Sequence, residues 1–181
     1  MNAQIRCPIQ SDGLEPTDSD LLDSPLDFIA QDHLHIRAVC VEMERLGDAD
    51  VINRDGAMQI LWFLTEELPV LIRDEDEDLF PLLLRRAEPD DDMPRLKARL
   101  DDEHANVMEL LPAVTAVFKD LASSQRNLTA ESRTQVVRFI RHMRRHLVFE
   151  NAIVLPFARL RLTAGDLETL RLRMRARRGL S

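Results

Sequence analysis

The sequence predicts an all-α fold, an up-down-up-down four-helix bundle with a short fifth helix at its C-terminal end. Three observations carry that expectation. Leu, Arg, Glu and Ala abound, whereas 181 residues include no Tyr, one Trp and five Gly, a mixture that favours helix over strand. Apolar residues recur at helical spacing in four long stretches. The breaks between them, GDADVINRDG, EPDDDMP and SSQRNLTA, are polar and short enough to return the chain antiparallel.

Residues 1–24 scatter Ser, Asp, Pro and Gly without periodicity, so this leader is expected to stay mobile or to drape over the rest. A bundle over residues 25–162 follows. Its first helix starts at Pro25 and carries Phe28, Ile29, Ile36, Val39, Cys40, Met43 and Leu46 inward until Gly47 stops the pattern. The second spans Ala57 to Ala87, the third Pro94 to Leu121 and the fourth Ala130 to Leu162. In the last segment, 163–181, Thr163 with Asp166 three residues on forms a capping signature for a short helix reaching Arg178. A hydrophobic fraction of 45% suffices for one core of this length.

Charge narrows the function. Thirty-two acidic against 24 basic residues leave a formal charge of −8, which gives nucleic acid no electrostatic footing and suits cations or small ligands. The N-terminal MNAQIRCPIQ lacks a secretory apolar stretch and no later run approaches a membrane span, so a cytoplasmic protein without a membrane partner is expected. Of the two cysteines, Cys7 lies in the leader and Cys40 on the inward face of the first helix. A disulfide framework is not expected, and core packing outweighs redox chemistry for Cys40.

The chain also repeats itself. The second helix carries Leu71, Glu75 and Pro81 in LIRDEDEDLFP, and the fourth carries His146, Glu150 and Pro156 in the same frame in HLVFENAIVLP. Each is preceded by a helix with an inward histidine after an acidic residue, His33 in QDHLHIR and His104 in DDEHANV. Two αα-hairpins of one pattern are thus stacked. Residues four apart lie about 40° from each other around a helix, so His146 and Glu150 point inward together. One histidine from each odd helix and one carboxylate from each even helix then meet at one level, as imidazoles bridged by carboxylates. Such a pocket suits two metal ions, iron or manganese before a structural zinc, because oxygen and imidazole donors are present and a thiolate set is absent. A cation would also offset the cost of two buried glutamates.

On these residues the chain resembles the hemerythrin-like, or HHE cation-binding, family over roughly residues 26–162, including the stretches DEDEDLFPLL and RRHLVFENAIVLPFARL. The resemblance implies a four-helix bundle around a non-haem di-iron centre that binds or senses dioxygen or a related diatomic, or handles iron. Carried over position by position, the ligand set is His33, Glu75, His104, His146 and Glu150, with both glutamates as bridges. The second-helix histidine of the family pattern is replaced by Leu71. That substitution implies an asymmetric site holding two irons or one, and keeps open a second class of function, a regulatory or binding module with one metal or none. Catalysis is not required by either.

Neighbours that could stand in for the missing imidazole are Glu67, one turn before Leu71, and His142, one turn before His146; water is the third option. His35, about 200° from His33 around the helix, is expected to face solvent. Pro69 and Pro81 fall inside the second helix, where a proline removes a hydrogen bond. Pro81 then either kinks the helix and repositions Leu71 and Glu75, or merely marks a bend near its end. The tail, with five arginines in residues 171–178, either favours its helix dipole or meets an acidic partner, and the dipole reading is preferred.

Overall fold

A computed structural model describes residues 14–48, 53–124 and 128–180. Cys7 and the middles of the first and third breaks lie outside the described residues. Helix α1 is Pro25–Asp48; α2 covers 54–86; α3 is Met93–Ser124; α4 covers 130–161; α5 is Ala164–Arg177. No strand occurs among the described residues. Each of the four long helices packs against two others, α1 on α2 and α4, and α3 on α2 and α4. Ion pairs mark the antiparallel sense: Arg159 near the end of α4 meets Asp27 at the start of α1, while Arg144, further back, meets Glu44.

Local chemistry sets the helix ends. Asn53 accepts from the Gly56 amide at 3.2 Å, so α2 begins earlier than the apolar pattern indicates. Thr129 caps α4 through the Ser132 amide. The capping signature at α5 forms as expected, with Thr163 and Asp166 bonded reciprocally. That helix closes at Gly179 (φ +68°), where the Leu180 amide reaches the Arg175 carbonyl at 2.9 Å, a left-handed terminus that glycine permits without strain.

The second half of the leader drapes over the bundle. A 3-10 turn at Ser19–Asp23 buries Leu22, and Thr17 donates to Asp32 at 2.6 Å. The core runs along the axis through fully buried Phe80, Phe118 and Phe139, with Cys40 packed among apolar neighbours. Burial pushes the Cys40 thiol up to about 12, so it behaves as a small hydrophobe. No helix among the described residues is long and apolar enough to cross a membrane.

Two of the long helices are not α-helical throughout. Within α2, π turns at Phe63–Glu67 and Asp74–Leu79 interrupt the α-helix, and within α4 one occupies Glu150–Val154. Each follows one rule: an amide bonds five residues back, Leu68 to Phe63, Phe80 to Glu75 and Leu155 to Glu150, and a proline comes next. Pro69, Pro81 and Pro156 lack the N–H that would continue the normal ladder, so the extra residue is accommodated just ahead of them. Ahead of Pro81 the π turn includes Glu75.

Candidate metal centre

The Glu75 and Glu150 carbonyls accept the bonds that close the second and third π turns. The wider turn aims both carboxylates at the bundle axis, where each is 1% exposed. Around them stand His33 from α1, His104 from α3 and His146 from α4, all buried. One ligand atom from each of Glu75, His104, His146 and Glu150 lies within 4.8 Å of the others. His104 Nε2 and His146 Nε2 are 3.2 Å apart, His146 Nε2 is 3.0 Å from Glu150 Oε2, and His104 Nε2 is 3.5 Å from Glu75 Oε2.

His33 meets both carboxylates and shares Glu150 Oε2 with His146. Its Nε2 is 3.3 Å from Glu75 Oε1 and 3.2 Å from Glu150 Oε2. Glu75 thus presents one oxygen to His33 and the other to His104, the disposition of a bridging carboxylate.

Two further acids orient the imidazoles, and the sequence reading missed both. Asp76 accepts from His104 Nδ1 at 2.8 Å, and Glu103 lies 3.5 Å from His146 Nδ1. A proton held on Nδ1 leaves the Nε2 lone pair facing the axis. Each of these acids adjoins one inward residue in sequence and supports another in space: Asp76 follows Glu75, and Glu103 precedes His104. The only sequence signal was the acidic residue next to each. His33 Nδ1 and His146 Nδ1 are both buried without a well-formed hydrogen bond, but His146 has the Glu103 carboxylate 3.5 Å away, whereas no ion pair is formed at His33 Nδ1 among the described residues.

Electrostatics match this arrangement. Burial alone would lower the His33 pKa, but hydrogen bonds to Glu150 and Glu75 outweigh it and push the imidazolium up to about 10. His104 likewise rises to about 10 against burial, through Asp76 and Glu75, and His146 to about 9 through Glu150 and Glu103. Glu150 is driven well below the usual carboxylate range, since His146 and His33 override its burial. Glu75 Oε2 and both Glu150 oxygens nevertheless lack a well-formed hydrogen bond. Buried carboxylate oxygens without a well-formed hydrogen bond, facing converging imidazole nitrogens, fit a cation.

Leu71 is 3% exposed and lines a small cavity beside His104 and His146, together with Ile36, Leu68, Ile72, Val107 and Met143. The cavity holds about one water molecule. Neither candidate substitute occupies it. Glu67 turns to His35, whose Nε2 is 3.1 Å from Glu67 Oε2, because a half-buried carboxylate gains more from an imidazole than from a leucine-lined space. His142 is partly buried on α4 outside that lining, and burial with neighbouring arginines lowers its pKa. The expectation that His35 faces solvent is corrected: it points away from His33's partners but is 7% exposed, edge-on to Phe63 at 5.6 Å. The α2 surface covers it.

The acidic run DEDED does not face water as a whole either. Asp74, Glu75 and Asp78 are buried, and the arginines of α5 meet Asp74 and Asp78 within the chain. The basic tail therefore has acidic partners within the chain, in addition to its place in the last turn of α5.

Fold and site together define a helical bundle equipped to hold a cation at its axis. The model of the hemerythrin HHE cation binding domain matches residues 24–158, and the chain belongs to that family of metal-binding domains. Among curated proteins, no sequence matches the chain.

Proposed function

We propose that this protein is a non-haem iron protein whose centre binds or senses dioxygen or a related diatomic. The observation that carries the reading is the convergence of His104 Nε2 and His146 Nε2, 3.2 Å apart, on buried carboxylate oxygens that have no well-formed hydrogen bond. Glu75, His104, His146 and Glu150 would hold the first iron, and His33 with the two glutamates a second. Nitrogen and oxygen donors without thiolate favour iron, with manganese or zinc behind it. When bound, iron supplies reversible ligand binding and one-electron chemistry. The chain's own part is to orient the imidazoles through Asp76 and Glu103, and to keep the adjoining cavity apolar and small. A buried free thiol at Cys40 accords with a cytoplasmic setting.

Leu71 favours a second reading, in which one cation or none is held and the bundle works as a regulatory module. The two separate on loading with ferrous iron under anaerobic conditions, followed by admission of air. Two irons per chain with a new near-ultraviolet charge-transfer band support the di-iron reading. One iron without that band supports the second.

A further inference from the structure

Helix α5 lies beyond the segment that matches the family, yet it is fastened to the turn that aims Glu75. Arg177 Nη1 donates to Asp74, and its Nη2 donates to Asp78 at 2.7 Å and Glu77 at 3.0 Å. Arg178 reaches the other Asp74 oxygen at 2.6 Å, and Arg173 the other Asp78 oxygen at 2.9 Å. The Arg177 side chain is 11% exposed, and those of Asp74 and Asp78 are 0% and 3% exposed. A π turn completes in about 4.4 residues, so residues 74 and 78 share its outer face while residue 75 between them faces the axis. At its other end α5 is tied to the same helix, with Asp166 gripped by Arg85 at 2.8 Å and Arg86 at 2.7 Å.

We propose that Arg177, assisted by Arg178 and Arg173, is a positioning residue for the cation centre: by chelating Asp74 and Asp78 it holds the π turn that directs Glu75. The planar fork is what allows one side chain to grip both carboxylates. It also neutralises acids that would otherwise compete, as near neighbours of Glu75, for a cation or for each other. The π turn at Glu150–Val154 carries no acid besides Glu150 for an arginine to grip, so it serves as an internal control. The proposal rests on the reading that Glu75 helps hold a cation.

Two measurements test it on the full chain. In the metal-free protein, hydrogen exchange at the Phe80 amide, which closes the Glu75 turn, is expected to quicken about tenfold or more in Arg177→Leu. The Leu155 amide, which closes the Glu150 turn, should not change. Cobalt(II) titration of the same protein should weaken by about 10- to 100-fold, the range for partners that orient ligands. Arg177→Lys, which keeps the charge without the fork, should fall between. If Arg177→Leu does not fold, Arg177→Lys is read alone against the wild type.

Unchanged Phe80 exchange, or equal quickening at Phe80 and Leu155, overturns the clamp. So does cobalt affinity within about twofold of wild type in a variant whose Phe80 amide is exposed. If wild-type protein takes up no cobalt, the functional reading fails, and the exchange arm decides the clamp by itself.

Discussion

His104 and His146 aim their Nε2 atoms at each other across 3.2 Å. Two neutral imidazoles that both hold their proton on Nδ1 oppose lone pairs in that pose, and two imidazolium ions oppose charges; a divalent cation between them relieves both. In the metal-free protein these histidines and His33 titrate at about 9 to 10 instead of 6.5. A histidine raised in the folded state adds stability that is complete below pH 6.5 and lost as the pH rises through its folded value. The melting temperature of metal-free protein should therefore fall between pH 6.5 and about 10. Over the same window cation affinity should rise, because binding displaces protons. Calorimetric titration in two buffers of different ionisation enthalpy measures that release, and an affinity independent of pH contradicts it.

Asp76→Ala and Glu103→Ala should each weaken cation binding by about 10- to 100-fold while leaving the far-ultraviolet circular dichroism unchanged. Asp76→Ala is expected to have the larger effect, since its contact with His104 is 2.8 Å against 3.5 Å for Glu103 and His146. A titration in which Glu103→Ala loses more than Asp76→Ala would reverse this ranking.

The bundle itself was legible in the sequence, because 3.6-residue periodicity and polar breaks are local properties. Thr163 with Asp166 at α5 was legible for the same reason. His146 and Glu150 also followed from one-face spacing, and His104 from the repeated frame. What escaped was either a departure from 3.6 residues per turn or a contact between distant segments. Prolines six residues after Glu75 and Glu150 were visible, but not that the missing N–H of each would open a π turn. The roles of Asp76, Glu103 and Arg177 depend on which helix lies alongside. His35 shows the limit well: helical geometry turned it from the His33 site, while Phe63 and Glu67 of α2 decided that it would be buried.

Leu71→His should add donor capacity in the cavity that Leu71 lines beside Glu75, His104 and His146. Its side chain lies one turn before Glu75, in the frame that His146 holds relative to Glu150. The variant should gain cation stoichiometry by about one per chain where the wild type is short of two, at a cost of roughly 1–3 kcal/mol in metal-free stability for a polar group placed among Leu68, Ile72 and Met143. Elemental analysis and chemical denaturation check the two halves. No gain in cation would contradict the placement of Leu71 in that frame.

Pro81→Ala restores an N–H where the π turn ends. The helix can then close its ordinary ladder, which should raise metal-free stability by up to about 1 kcal/mol while drawing Glu75 off the axis and weakening cation binding. Stability and affinity moving in opposite directions, by denaturation and titration, is the expected signature; gains in both would count against the role given to the turn.

The most direct test is elemental analysis of wild-type, His33→Ala and His104→Ala proteins, each purified under reducing conditions and reconstituted anaerobically with ferrous iron. The wild type should hold at least one iron tightly; His104→Ala should lose it and His33→Ala should keep it, because the supported imidazoles belong to the His104 and His146 side. Less than about a tenth of an equivalent in the wild type, or an iron lost with His33→Ala and kept with His104→Ala, would contradict the account.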